Sequence, residues 1–152
     1  MRIGVVDTTF ARADMGKIVV NEIRDSFGDI VVVRRTVPGV KDLPVECLNL
    51  LSECDIVVAC GMPGAQEMDK VCAHEASTGL IQAQLMTGKH IIEAFVHEDE
   101  ETEDRGLKTL VEDRCRKHAR NAVMLLKDPA WFTRNAGRGM RQGRDDAGSL
   151  YL

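Results

Sequence analysis

The sequence predicts a three-layer α/β domain, with helices on both faces of a four-stranded parallel sheet, on three observations. Four short runs rich in β-branched residues, Ile3 to Val6, Ile30 to Val33, Ile56 to Ala59 and Ile91 to Val96, do not alternate with polar residues, so each reads as a strand buried on both faces. Segments with helical spacing separate them, and βα alternation with right-handed crossovers makes the strands parallel. At 152 residues, 44% hydrophobic and 29% charged, the chain has the size and composition of one globular domain.

Strand one follows Met1 without a charged leader or an apolar span of about 18 residues, so the expectation is a cytoplasmic protein with no export or anchoring segment. Between strands three and four, Cys72, Ala76, Gly79, Ala83 and Met86 recur at steps of four and three, a small-residue stripe that permits close helix packing. After strand four, Leu107, Leu110, Val111, Cys115, Ala119, Ala122 and Leu126 form one side of a further helix, with Glu112, Arg116, Lys117 and Arg120 left for solvent. Asp128-Pro129 interrupts that pattern, and a short helix over about Ala130 to Asn135 follows. No repeat or linker divides the chain, so residues 1–152 read as a single domain. Its residues 137–152 form a Gly/Arg-rich tail expected to stay loose until a partner orders it.

A net charge of -4 with scattered basic residues argues against general nucleic-acid or anionic-membrane binding and favours a small, weakly charged ligand. The five cysteines are an odd set without a C-x-x-C pair, which disfavours both a disulfide framework and a zinc site. They read as reduced, mostly buried thiols, Cys60 included, since no neighbouring base marks it as a nucleophile. Walker, G-x-G-x-x-G, G-x-S-x-G and H-E-x-x-H motifs are absent.

Ligands of open parallel sheets bind beyond the carboxyl ends of the strands, so the segments after each strand form one edge to search. Thr8-Thr9-Phe10 follows strand one, and Phe10 either stacks on a planar heterocycle or packs as a staple onto the first helix. Pro38-Gly39 and Pro63-Gly64 make sharp turns that let a ligand approach the backbone, Met62 suits a planar ring, and Lys41 or Asp42 suits polyol hydroxyls. His97, between an apolar strand and an acidic run, is the best general acid/base candidate, with a solvated loop histidine as the alternative. Glu67, Asp69, His74 and Glu75 are further titratable groups that equally suit capping of the third helix. Residues 97–104 carry enough oxygens for a hard cation, but complementing the next helix dipole is the commoner role, and no metal ligands are assigned. Arg134, Arg138, Arg141 and Arg144 can grip an anion or pair with Asp145 and Asp146.

The strings Val5-Val6-Asp7-Thr8-Thr9-Phe10-Ala11-Arg12, Thr36-Val37-Pro38-Gly39-Val40-Lys41-Asp42-Leu43-Pro44 and Gly61-Met62-Pro63-Gly64 resemble archaeal riboflavin synthases. The likeness continues, in order, through Asp69-Lys70-Val71-Cys72-Ala73-His74-Glu75-Ala76-Ser77, Phe95-Val96-His97-Glu98-Asp99-Glu100 and Arg141-Gln142-Gly143. It implies a lumazine synthase-like fold of flavodoxin-like topology, assembled as homopentamers with active sites between subunits. The implied reaction dismutates two 6,7-dimethyl-8-ribityllumazine molecules to riboflavin and 5-amino-6-(D-ribitylamino)uracil, with no organic cofactor and with a dependence on Mg2+ or another divalent cation left open. Residue by residue, Phe10, after Thr8 and Thr9, matches the stacking aromatic, and Pro38, Gly39, Val40 and Asp42 match the turn holding the ribityl chain. Gly61, Met62, Pro63 and Gly64 match the third-strand loop, while Arg134 is the anion-binding candidate. Lumazine synthases usually carry Gly-Ala/Ser-Thr-x-His in that loop; here Glu67 stands near the expected histidine, which argues against lumazine synthase itself. A flavodoxin-like flavin-binding protein without turnover is the other alternative, although no FMN phosphate loop follows strand one.

Overall fold

Strand β1 (Arg2–Thr8) pairs in parallel with β2 (Val31–Val37) on one side and β3 (Ile56–Gly61) on the other, and β4 (Ile91–Phe95) extends the sheet beyond β3. The computed structural model describes residues 1–151 and gives one sheet of order β2-β1-β3-β4, all parallel, as the sequence predicts. Helices α1 (Met15–Ser26), α2 (Leu43–Leu51), α3 (Glu67–Thr87) and α4 (Asp104–Lys127) make the connections and cover both faces, and a short α5 (Ala130–Arg134) follows. None of the described helices is long and apolar enough to cross a membrane.

Only the central strands meet the expectation of burial on both faces. Ile3, Val5, Val57 and Val58 are sealed, whereas Val31 of β2 is 52% exposed and Arg34 to Thr36 lie open. The reason is position: β2 and β4 are edge strands with one hydrogen-bonded neighbour each, so polar residues are tolerated along β2, and the strand runs on past Val33 to Val37.

On one face Ile3 and Val5 pack against Val19 and Ile23 of α1 and Val111, Cys115 and Ala119 of α4. On the other, Val6, Val57 and Ala59 meet Leu43, Cys47 and Leu50 of α2 and Ala73, Ala76, Leu80 and Ala83 of α3. The buried stripe of α3 is therefore shifted from the predicted one: Ala76 and Ala83 face inward, but Met86 is 74% exposed. The helix is held close to α2 through Gly79, whose absent Cβ would lie 2.8 Å from Pro44. Val71, Ile81 and Leu85 lie on its outer side and remain exposed. Gly4 closes the same layer from the sheet side, since a Cβ there would come 2.9 Å from Val57 and 3.0 Å from Leu50. Gly4→Ala is expected to cost about 1–3 kcal/mol by overpacking, read as a lower urea midpoint at unchanged slope.

Ion pairs complete the frame. Buried Glu22 of α1 accepts from Arg120 (2.6 Å) and Arg116 (3.0 Å) of α4, and Ser26 adds a third donor. Buried Asp7, at the end of β1, accepts from Thr36 (2.7 Å) and from Arg34 across the β1–β2 ladder. Gly16 leaves room for that pair, because a Cβ would fall 2.7 Å from Arg34 Nε. The tail hydrogen-bonds to α4 and to itself. Gly143 N–H donates to Asp113 of α4 (2.8 Å), Arg141 N–H to Asp146 (2.9 Å) and Ala147 N–H to the Gly139 carbonyl (2.8 Å).

Candidate functional site

Strand order reverses between β1 and β3, which places a crevice at their carboxyl ends. The β1–β2 pairing extends past the strands: Thr9 N–H donates to the Val37 carbonyl (2.8 Å) and Phe10 N–H to the Pro38 carbonyl (3.2 Å). This draws Phe10 over Gly39, where a Cβ would lie 3.3 Å from the ring. Phe10 is 74% exposed, so it is no staple on α1 but a presented aromatic surface. Thr8 is buried at the strand end and Thr9 is exposed beside the ring.

The 38–42 turn is ordered by its own residues. Asp42 Oδ2 accepts the Gly39 N–H at 3.0 Å, which commits one carboxylate oxygen to the turn, and Lys41 pairs with Glu75 of α3 at 2.8 Å. Val40 packs into the space left by Gly61, where a Cβ would meet Val40 at 2.8 Å and Phe95 at 2.9 Å. Glycine at 61 thus lets the turn lie against the end of β3.

The loop after β3 sends its residues two ways. Met62 is buried on the α1/α4 side, at the floor of a groove of about 430 Å³ lined also by Ile18, Leu107 and Val111, so it does not stand beside Phe10. Pro63 accepts the Glu98 N–H at 3.0 Å, joining this loop to the turn after β4. Gly64 lies against Asp69, which accepts the Gln66 N–H (3.1 Å) and caps α3. Glu67 is exposed in the first turn of α3, close to the crevice, and His74 is exposed further along.

His97 begins a single 3-10 turn over Glu98–Glu100. Its N–H donates to Glu100 Oε1 at 2.9 Å, and its Nδ1 is buried without a partner among the described residues. Glu100 in turn accepts from Arg114 at 2.7 Å. Burial pushes the Glu100 carboxyl up, but the hydrogen bonds from Arg114 and the His97 N–H outweigh it and hold the group below its ordinary value. Glu93, bonded to Ser77 Oγ at 2.7 Å on the α3 side of β4, is shifted the other way: burial raises it, against Ser77 and His97. The acidic run is divided among separate cations, Asp99 with Lys70 (2.8 Å), Glu100 with Arg114 and Asp104 with Arg12 (2.9 Å).

Arg114 escaped the sequence reading, although its place between Val111 and Cys115 on the inward side of α4 was the available signal. Cys60 lies fully buried, and the neighbouring Cys115 thiol together with burial pushes it well above its ordinary value, as a structural thiol requires. Cys47, Cys54 and Cys115 are also buried free thiols.

The chain matches the 6,7-dimethyl-8-ribityllumazine synthase family over residues 1–129. A riboflavin synthase of Methanothermobacter marburgensis is 57% identical over 152 residues, covering 99% of each chain. That of Methanothermobacter thermautotrophicus is 56% identical over the same share, and that of Archaeoglobus fulgidus 45% identical, also over 99% of each chain. The chain belongs to the archaeal riboflavin synthase family. Within that family's full-length likeness fall α5 and the tail, which lie beyond the shorter match to residues 1–129. Arg134 of α5 pairs with Asp128, next to Lys127, which bonds Asp29 just before β2. It therefore sits at the amino edge of the sheet, apart from Phe10 and His97 of the same chain.

Proposed function

We propose that this chain is the catalytic subunit of a riboflavin synthase, which moves a four-carbon unit between two 6,7-dimethyl-8-ribityllumazine molecules and releases riboflavin and 5-amino-6-(D-ribitylamino)uracil. The carrying observation is the 57% identity to a riboflavin synthase over the whole chain. The presented Phe10 ring on Gly39 supports it locally, as a stacking platform for one lumazine. In this reading the ribityl hydroxyls meet the uncommitted Asp42 oxygen and the backbone of Pro38, Gly39 and Val40, while Gly61, Pro63 and Gly64 shape the floor. Thr8 and Thr9 hold Phe10 in place, and Met62 shores up the loop from behind. The lumazine 7-methyl is acidic because its carbanion spreads into the ring, so a modest base suffices, and His97 supplies it with Glu67 alongside. Holding two lumazines face to face accounts for much of the rate, since effective molarity alone contributes on the order of 7 kcal/mol.

The site is completed by a second chain in a homopentamer, with Arg134 reaching a neighbour's site. Support comes from the exposed Met68, Val71, Ile81, Leu85 and Met86 on α3 and from β2 and β4, which each have a single strand neighbour in the sheet. The enzyme works in the cytoplasm without an organic cofactor; Mg2+ dependence is read by repeating the assay with chelator.

Purified protein given the ribityllumazine alone is expected to form riboflavin, followed by its absorbance; no riboflavin with or without Mg2+ sinks the reading. Phe10→Ala is expected to raise KM about tenfold, the loss of one stacking contact of about 1–1.5 kcal/mol, with kcat changed less than about threefold. The match over residues 1–129 favours lumazine synthase as the second reading. Formation of ribityllumazine from the aminouracil and a four-carbon phosphate, without riboflavin, would establish it.

A further inference from the structure

Arg114 stands on the inner face of α4 with its side chain 11% exposed, and its guanidinium donates to three segments. Nη1 reaches the Phe95 carbonyl (3.0 Å) and Glu100 Oε1 (2.7 Å), and Nη2 the Gln142 carbonyl (3.5 Å). A buried guanidinium is a costly occupant of a helix face that Leu or Met would fill, because the ion is desolvated and each donor needs an acceptor. Its contacts converge on His97. Glu100 Oε1 accepts from Arg114 and from the His97 N–H (2.9 Å) together, and the Phe95 carbonyl lies two residues before the histidine on the other side. His97 Nδ1 is buried without a partner among the described residues. The tail closes over the cation through Gly143, whose φ is +81° and where a Cβ would lie 2.8 Å from Arg114 Nε and 2.7 Å from Leu110.

We propose that Arg114 is a positioning residue, which through Glu100 and the Phe95 carbonyl fixes the place of the His97 imidazole while the Gln142-Gly143 segment shields the guanidinium from water. The proposal rests on the reading of His97 as the acid/base group.

The test is a double-mutant cycle on the full-length protein with ribityllumazine as substrate. Arg114→Ala is expected to lower kcat about tenfold or more, as a misplacement near 1 Å does, with KM changed less than about threefold. Added guanidinium ion should restore part of kcat to Arg114→Ala and none to His97→Ala. In the His97→Ala background, Arg114→Ala should cost less than about twofold, because the residue acts through a group already gone. An equal loss in both backgrounds overturns the proposal while leaving the His97 reading in place. Wild-type turnover of His97→Ala overturns both. Should Arg114→Ala fail to fold, Glu100→Gln carries the same cycle; it keeps an acceptor oxygen and removes the charge, and a loss of turnover that persists undiminished in His97→Ala is again the overturning result.

Discussion

His97→Ala is expected to lower kcat by about 100-fold while moving KM less than about threefold, measured as riboflavin formation from ribityllumazine across pH 5 to 9. A positioned acid/base group contributes about 10²–10⁴-fold, and the low end applies because the methyl group is already acidic and the pairing of two substrates is left intact. The geometry favours this residue over its neighbours. His97 has its backbone fixed by Glu100 at 2.9 Å, and its half-buried side chain stands just past the end of β4 with no ion pair among the described residues. Asp69 is used in capping α3, Glu75 in pairing with Lys41, and Asp99 in pairing with Lys70. Glu67 is exposed at the helix start, so Glu67→Gln should cost less, about tenfold at most, as a solvated carboxylate assisting from outside. Wild-type turnover in His97→Ala, with the variant folded and assembled, would remove it from the site.

The parts of this fold that could be read from sequence are those where one physical demand dominates. β1 and β3 are central, so each presents an unbroken apolar run, and Pro38-Gly39 marks the bend after β2, whereas Pro63-Gly64 runs on from β3 without a turn. Edge strands answer to two demands at once, which is why β2 continues through Arg34 and Arg35, past the end of the apolar run at Val33. The buried face of α3 is not legible in its sequence because Gly79 and Cys72 are small enough to suit either side; Gly79 packs against Pro44. The sequence leaves Phe10 open between staple and platform, because the hydrogen bonds across the β1–β2 ends that direct its backbone join residues far apart in the chain. Arg114 was illegible for a deeper reason: charge in a helix is read as solvent-facing, and only the three acceptors gathered from β4, the His97 turn and the tail make its burial tolerable. Arg134 shows the converse, an attractive residue type that the chain's own topology carries to the opposite edge of the sheet.

Stability is expected to fall by about 3 kcal/mol between pH 7 and pH 4 on account of His118 alone. Burial in α4, with Arg114 nearby, lowers this imidazole from 6.5 to about 4, and among the described residues its Nδ1 has no partner to reward protonation. Above pH 6.5 the ring is neutral in both states and contributes no pH dependence. As pH falls below 6.5 the unfolded chain takes up the proton first, so folding weakens by about 1.4 kcal/mol per unit until the folded protein titrates near 4. Glu22 and Glu100, held low by arginines against the pull of burial, also lose stability in acid, whereas Glu93 is raised and works the other way. The comparison must therefore be between wild type and His118→Gln, in which the carboxylates are shared and cancel. Urea unfolding at pH 7 and pH 4.5 should show the variant gaining about 2–3 kcal/mol on the wild type as the pH drops. Parallel losses in the two proteins would mean that the His118 ring reaches water in the native state, and that the acid sensitivity of this fold resides in its carboxylates.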